Sequence, residues 1–297
     1  MKTPTRVNPE RIKAACTRLP SSAKLIDALY RAINQPDVDT DQVVSLVSMD
    51  IAITSRLLRM ANSACYARGE TVISLEQALS WLGAFQAYRV ACATVSAKLC
   101  DQSLPLYRIS ADQLFANTMA MAVGMEILSQ KAGLDRKTGY TLGLLHNLGR
   151  IVLQRLALQM DIPGGAGDLP DRLAVENWER ETFGYSQTEL GSAVLAIWGM
   201  NPLLVQVIKR QYDGDTPTDP LVRRWSALLH LATAVVAGTD FGLGGTREAG
   251  PIAEAIIGEA GIAQLDIHPL SEEIYLETKR FCEQSGVVIV SERGHSL

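Results

Sequence analysis

Residues 114–128 read LFANTMAMAVGMEIL, and apolar or small side chains recur there at Leu114, Thr118, Met121, Met125 and Leu128. Intervals of three and four residues place these side chains on one face of an α-helix. A second stripe with the same period runs through residues 53, 57, 58 and 61. No convincing pair of strands is found, and only the isolated run at residues 287–290 favours a strand. The pattern predicts an all-α protein.

Helix starts and one proline break organise the chain. Ser74, Ser110 and Ser186 are each followed three residues later by Gln or Glu, which is the capping-box pattern. The break at Pro105 separates two sets of helices. We therefore predict an N-terminal helical sub-domain at 1–104 and a second at 105–297, which includes a C-terminal helical extension. The expected core residues are Leu25, Leu46, Leu57, Leu58, Leu79 and Leu82 in the first, and Met121, Met125, Leu144, Leu145 and Val152 in the second.

Composition limits the class of protein. The chain has 297 residues, 47% of them hydrophobic, so it is expected to bury a core, unlike a disordered regulator. The formal charge is −4, whereas a nucleic-acid binder is normally basic, so no nucleic-acid partner is predicted. No run approaches 18 apolar residues and no secretory signal is seen, so we expect no membrane association. The five cysteines include no C-x-x-C pair and indicate reduced thiols in a cytoplasmic protein.

Two segments near the N-terminus carry a family resemblance. Residues 48–66 read SMDIAITSRLLRMANSACY and residues 74–83 read SLEQALSWLG. Together they resemble the HDOD domain (HD-related output domain) of bacterial signalling proteins. The motif positions are Asp50, Asn62, Ser63 and Gly83. The residues themselves also favour a structural role for Asn62 and Ser63 at a helix end, where Asn tolerates left-handed geometry.

Two later segments extend the resemblance in the same order. Residues 143–153 read GLLHNLGRIVL, and residues 181–191 read ETFGYSQTELG. Both are similar to HDOD motifs, in which Gly149 and Gly184 are motif positions. The resemblance spans about residues 19–212. It implies that the second sub-domain has an HD-like fold, related to the HD-type metal-dependent phosphohydrolases.

The ligands of the HD-type metal site are largely replaced in this sequence. Asn117 stands where the family has a histidine, and the doublet His146-Asn147 has an amide in place of its carboxylate. Gln187 stands where a histidine is common, and Thr233 stands where an aspartate is expected. A divalent ion needs charged or strongly donating ligands before it can activate water. The resemblance therefore implies a vestigial site with no metal, no cofactor and no catalytic residues.

The few histidines support the same expectation. The chain contains only His146, His230, His268 and His295. Neither His146 nor His230 has an acidic residue in its own segment, although the two could meet in space. A hydrogen-bonded core histidine is the favoured interpretation for both, because buried polar groups are normally satisfied by protein partners.

Three functions remain open from the sequence. The favoured one is a non-catalytic regulatory module that acts through protein contacts. The resemblance implies response-regulator, kinase or cyclic-di-GMP turnover proteins as partners, here acting in trans. The alternatives are an HD-type phosphohydrolase of nucleotides or cyclic dinucleotides, and a small-ligand sensor that uses the vestigial pocket. The oligomeric state is left open.

Overall fold

The computed structural model describes residues 10, 12, 14, 15, 23–162, 164–211, 219–243, 254–262 and 266–290. The regular elements of this part are helices, and Leu104 and Ile109 form an isolated antiparallel bridge. The all-α prediction is confirmed. No strand spans residues 287–290, which follow a helix end at Gly286 with left-handed backbone.

Of the helices whose bounds lie in the described ranges, five precede the proline break and the others follow it. The N-terminal helices are α1 (Ala23–Ile33), α2 (Thr40–Ser48), α3 (Ile51–Ala61), α4 (Leu75–Leu82) and α5 (Ala84–Leu99). After a 3₁₀ turn at Pro105–Tyr107 come α6 (Ala111–Lys131), α7 (Arg136–Leu145) and α8 (Leu148–Gln159). A second 3₁₀ turn at Ala166–Asp168 precedes α9 (Arg172–Phe183), α10 (Gln187–Ile197), α11 (Pro202–Lys209), α12 (Pro220–Ala237), α13 (Glu254–Ala260) and α14 (Ile267–Ser285).

Serine caps begin three of these helices where the sequence predicts them. Ser110 and Ser186 form complete capping boxes, in which the serine hydroxyl and the side chain three residues later satisfy each other's backbone amides. Ser74 accepts a hydrogen bond from the amide of Gln77 and so caps α4. These bonds satisfy amides that the first turn of a helix otherwise leaves without partners.

Helix α6 is central to the second half because its neighbours bury almost every side of it. On α7, Gly143 faces the α6 backbone so closely that a β-carbon there would lie 2.1 Å from the carbonyl oxygen of Met121. The predicted core residues on these helices are buried as expected. In the first half, Leu46 and Leu58 are only partly buried and pack at the edge of the core.

The C-terminal helix α14 contacts both halves of the chain. Gly286 at its end accepts a 2.5 Å hydrogen bond from Nη1 of Arg56 on α3. Ile274 faces Gly124 on α6, where its Cδ1 lies 3.1 Å from the position that a glycine β-carbon would take. Buried apolar residues form one cluster that runs through both halves. The boundary at residues 104 and 105 stays a prediction.

None of the helices in the described ranges combines the length and the apolar character that crossing a bilayer requires.

Candidate functional site: the buried amide network

Two of the predicted metal-site positions meet at the junction between α7 and α8. Asn117 on α6 uses its carbonyl oxygen to accept a 2.9 Å hydrogen bond from the side-chain amide of Asn147. The Asn117 amide in turn donates to the carbonyl oxygen of Phe241, at 3.0 Å. Nη1 of Arg150 donates to the side-chain oxygen of Asn147, at 3.0 Å. Asn117, Asn147 and Arg150 are 6%, 2% and 4% exposed, so this chain of amides ends in a buried cation.

His146 lies beside this network as a core residue. Its Nδ1 is 2.6 Å from the carbonyl oxygen of Gly143, one turn earlier. That contact assigns the proton to Nδ1, because a carbonyl oxygen can only accept. Burial lowers the pKa of His146 to about 3, so the ring is neutral at physiological pH. This geometry favours the structural interpretation of His146 over a ligand role.

The buried Glu179 on α9 closes the other side of the site. One carboxylate oxygen accepts from the hydroxyl of Tyr107 at 2.7 Å, and the other accepts from the backbone amide of Gln187 at 2.7 Å. Burial raises the pKa of Glu179 to about 7, although these two bonds and the Arg150 guanidinium pull it down. Arg150 also lies over the Tyr107 ring, with its Cζ 5.8 Å from the centroid. A carboxylate and a guanidinium therefore lie together in this interior.

Gln187 joins the site because Gly149 allows α10 to approach α8. A β-carbon at position 149 would lie only 1.7 Å from the backbone oxygen of Gln187. The Gln187 side chain is 4% exposed, and neither its amide nitrogen nor its amide oxygen has a hydrogen-bond partner among the described residues. The replacement of a family histidine by Gln187 therefore places a neutral amide in the interior.

Thr233 does not lie in this site, contrary to the sequence-based placement. Helices α6 and α12 run antiparallel, because Val236 packs against Gly124 while Asn117 bonds the carbonyl oxygen of Phe241. Thr233 lies one turn before Val236 and therefore beyond Gly124, more than about 10 Å from Asn117 along the helix axis. Its hydroxyl bonds the carbonyl oxygen of Leu229 in its own helix. The position of Thr233 depends on the direction in which α12 runs past α6, and a match to a sequence motif does not reveal that direction.

His230 lies on the same helix, one turn before Thr233. It is half-buried, and burial lowers its pKa to about 4. Of the two remaining histidines, His268 is exposed near the start of α14, and His295 lies outside the described residues. Because α12 carries His230 away from Asn117, the structure does not bring His230 and His146 together as a ligand pair.

The residues that do converge do not fit a divalent metal. Two neutral amides, one buried guanidinium and a neutral histidine bonded through Nδ1 provide no anionic ligand at the positions of Asn117 and Asn147. No group of three or more His, Cys, Asp or Glu side chains with metal-binding geometry occurs in the described part of the chain. A cavity of only about 10 Å³ borders Asn147. That volume holds at most about one water molecule.

Sequence reasoning missed Arg150 and Glu179. The signal for Arg150 was its position in GRIVL, where a charge interrupts an apolar helix directly after the family glycine. Charged residues are rarely fully buried unless they are paired, so such a charge indicates an internal partner. No comparable signal marks Glu179, because α9 carries several charged residues.

The N-terminal motif positions have structural roles. Asp50 caps α3, since its Oδ1 accepts from the backbone amides of Ala52 and Ile53, while Oδ2 pairs with Lys98 at 2.7 Å. Desolvation opposes ionisation of Asp50, but the hydrogen bonds from Lys98 and Ala52 outweigh it and lower its pKa. This carboxylate therefore holds the α2–α3 turn against α5.

Asn62 and Ser63 close the end of α3. The Asn62 side chain makes two hydrogen bonds with the backbone of Val72, both 2.8 Å long, and a third with the carbonyl oxygen of Leu58. Ser63 donates to the carbonyl oxygen of Met60 at 2.7 Å. Asn62 is the C-terminal cap of α3, as its structural interpretation predicts, and its φ is −89°, in the right-handed region.

Two motif glycines serve backbone geometry. Gly83 has a φ of 81° between α4 and α5, and Gly184 has a φ of 82° at the end of α9. Side-chain-bearing residues rarely adopt these positive values, which glycine reaches without steric cost. The motif positions Asp50, Asn62, Ser63, Gly83, Gly149 and Gly184 thus all take part in capping, turning or close packing.

One curated relative matches the chain in sequence. An uncharacterized protein of Treponema pallidum (strain Nichols) is 25% identical over 197 residues, which is 65% of this chain and 36% of the relative. The chain thus spans about a third of that relative's length.

Several solved structures share the fold. An HDOD domain protein of unknown function from Geobacter sulfurreducens matches with a TM-score of 0.66 at 19% identity, over 93% of this chain and 97% of the other. A candidate signal transduction protein from Marinobacter aquaeolei VT8 also matches with a TM-score of 0.66 at 19% identity. The match covers 94% of this chain and 65% of the other. A candidate phosphohydrolase from Shewanella amazonensis SB2B matches with a TM-score of 0.58 at 20% identity. The match covers 93% of this chain and 97% of the other.

The family assignment rests on a direct match to a family model. The HDOD domain model covers residues 19–214, close to the range of 19–212 predicted from four separate motifs. The all-helical architecture and the similar solved structures agree with it. This chain belongs to the HDOD domain family.

Proposed function

We propose that this protein is a non-catalytic signal-transduction module that acts through protein–protein contacts. The observation that carries the proposal is the buried chain from Asn117 through Asn147 to Arg150. In a phosphohydrolase of HD type, the positions of Asn117 and Asn147 would hold ligands of the metal ion. Here a guanidinium occupies the interior beside them, and a fixed cation disfavours a second cation nearby.

The phosphohydrolase alternative has less support. Metal-assisted hydrolysis requires an ion whose bound water is acidified and an open coordination position for it. Asn117 and Asn147 already use their side-chain oxygens on each other and on Arg150.

The metal experiment tests the non-catalytic part of the proposal. Purified protein is dialysed against Mn²⁺, analysed for bound metal, and assayed on cyclic and linear nucleotides. We expect no stoichiometric metal and no Mn²⁺-dependent hydrolysis, because Asn117 and Asn147 provide no anionic ligand where the family has metal ligands. His146→Ala is the matched variant. Stoichiometric Mn²⁺ together with hydrolysis that His146→Ala abolishes would establish the phosphohydrolase instead.

The proposed partners follow from the family. Response-regulator, kinase and cyclic-di-GMP turnover proteins in a bacterial cytoplasm are the classes that HDOD domains accompany. The contact region that we propose lies at the start of α3, where Met49 and Ile51 are 71% and 84% exposed on either side of the cap Asp50. Large exposed apolar side chains that a rigid turn holds in place are typical of protein contact surfaces.

A paired substitution tests that contact region. Ile51→Asp places a charge on the exposed apolar surface, and we expect it to weaken binding to a purified receiver, kinase or cyclic-di-GMP turnover partner by about tenfold or more. Leu173→Asp is the control, since Leu173 is 64% exposed and also lies in a first helical turn. Aspartate is favourable at both helix starts, so neither variant should unfold. Equal binding by the two variants would exclude this surface as the contact.

A further inference from the structure

A polar pocket of about 260 Å³ lies between the N-terminal helices and α14, away from the amide network. Half of its lining comes from before the proline break and half from α14. The lining residues are Cys65, Tyr66, Gln86 and Arg89 from the first half, and Glu277, Arg280, Phe281 and Gln284 from α14. We call it the Arg89 pocket. Neither the family motifs nor the proposed function accounts for it.

Arg89 is held rigidly in the wall of this pocket. Its guanidinium carbon lies 4.2 Å from the centroid of the Phe281 ring, so the cation rests on an aromatic face. Nε lies 3.2 Å from Oε2 of the buried Glu126, and Nη1 donates to Oε1 of Gln86 at 2.8 Å. Gln86 is fixed in turn by its bond to the Tyr66 hydroxyl, at 2.7 Å. Arg89 lines the pocket, and a guanidinium carries five N–H donors, more than these contacts use.

The charges around the pocket favour an anion. Arg89 and Arg136 both act on Glu126, and Arg280 pairs with Glu277 at 3.2 Å on the surface. The pocket lining itself carries two guanidinium groups, on Arg89 and Arg280, and one carboxylate, on Glu277. The Glu277–Arg280 pair is solvent-exposed and adds little stability, so Arg280 can exchange its partner at small cost.

We propose that the Arg89 pocket binds a small organic anion through a carboxylate or phosphate group. The planar fork of an arginine matches two oxygens of either group, and Arg89 and Arg280 supply two such cations. Gln284 lines the same wall and adds a neutral hydrogen-bonding group. The volume lies just below the range of about 300–1,000 Å³ for drug-sized ligands, so the anion is a small one.

The position of the pocket gives such binding a consequence. An occupant would contact α14 and the N-terminal helices together, and so tie the C-terminal helix to the half of the chain that carries Ile51. Anion binding would thereby stabilise one arrangement of the two halves. The inference goes beyond the proposed function, since the pocket would bind its anion whether or not the chain has a signalling partner.

Cys65 provides a direct reporter of occupancy. It is exposed and lines the pocket, whereas Cys92, Cys100 and Cys282 are buried. Burial raises the pKa of the Cys100 and Cys282 thiols to about 12, which keeps them unreactive. Full-length protein is labelled with the neutral reagent N-ethylmaleimide at constant ionic strength, with sodium chloride, inorganic phosphate or succinate. Peptide mass spectrometry then gives the labelling rate of Cys65 itself.

We expect phosphate, succinate or both to slow the labelling of Cys65 by about fivefold or more, with saturation. The anion that protects identifies the oxygen group: phosphate points to a phosphorylated ligand and succinate to a carboxylate. Protection by neither anion beyond that of sodium chloride would overturn the proposal.

Two arginine variants separate binding from general charge effects. Arg280→Gln should raise the apparent Kd for the protecting anion about tenfold or more, since it removes a charged donor and leaves Glu277 unpaired. Arg31→Gln is the matched control, because Arg31 is 62% exposed against 63% for Arg280 and also pairs with a carboxylate in its own helix. The same Kd in both variants would show that the anion binds elsewhere, and the proposal would then be wrong.

Discussion

Gly149→Ala is expected to lower the free energy of unfolding by about 4 kcal/mol or more, or to prevent folding altogether. Overpacking a core typically costs about 1–3 kcal/mol, when side chains can shift to make room. At this position the added methyl group would lie 1.7 Å from the backbone oxygen of Gln187. A backbone atom in a packed helix cannot move alone, so α8 and α10 would have to separate.

The separation would also affect the buried network. The backbone amide of Gln187 donates a hydrogen bond to Glu179, and that bond depends on how closely α10 approaches α8. For a domain of this size each kcal/mol shifts Tm by about 2–4 °C, so we expect a decrease of about 10 °C or more. Thermal unfolding followed by circular dichroism measures it.

Gly258→Ala is the control for this substitution. Gly258 lies in the short helix α13, and a β-carbon there would meet no atom within 4 Å. Alanine favours a helix more than glycine does. The free energy of unfolding of this variant should therefore equal that of the parent or exceed it by up to about 1 kcal/mol. A Gly149→Ala protein with the parental Tm would mean that α8 and α10 are not packed as closely as described.

Arg150→Met should lower the free energy of unfolding by about 3–5 kcal/mol at pH 8, and by clearly less at pH 5. Removing one partner from a buried charged network costs about 3–5 kcal/mol, because the remaining charge is left uncompensated. The substitution keeps the length of the side chain but removes the donor to Asn147 and the cation that acts on Glu179.

The pH dependence follows from the carboxyl group. In the folded protein burial raises the pKa of Glu179 to about 7, while the unfolded chain keeps a value near 4.5. Below pH 4.5 Glu179 is protonated in both states, and it imposes no cost. As the pH rises from 4.5 to 7 the unfolded state loses its proton first, so stability falls by on the order of 3 kcal/mol. Because the Arg150 charge lowers the pKa of Glu179, removing it raises that pKa in the folded protein further. The loss of stability with rising pH then continues to higher pH.

Urea unfolding at pH 5 and pH 8 tests this prediction. Each variant is compared with the parent at the same pH, so the opposite contribution of the neutral His146 largely cancels. In the double variant Arg150→Met, Glu179→Gln, the deficit relative to Glu179→Gln should no longer depend on pH. An Arg150→Met deficit that is equal at pH 5 and pH 8 would show that Arg150 and Glu179 are not coupled.

Local features of the fold could be predicted from the sequence because each depends on neighbours along the chain. The serine caps at Ser110 and Ser186 need only the residue three positions later. The helical stripe through Met121 and Met125 needs only a period of 3.6 residues. The isolated run at 287–290 was misleading, since a strand depends on a partner that local sequence does not reveal.

The site was predictable only in part. Asn117, His146, Asn147 and Gln187 were recognised from motif spacing, because each lies within a short matched segment. Thr233 was misplaced, since its position depends on the long connection that brings α12 past α6.

By itself, the sequence determined an all-α member of the HDOD family in which neutral side chains replace several of the metal ligands. Only the tertiary structure decided what stands beside Asn117 and Asn147: the guanidinium of Arg150, with Glu179 beyond it. The tertiary structure alone also formed the Arg89 pocket, whose walls come from residues 65–89 and 277–284. The physical reason is common to both. Helix formation and capping are local, whereas the energy of a buried charge or a pocket depends on groups that folding brings together from distant parts of the chain.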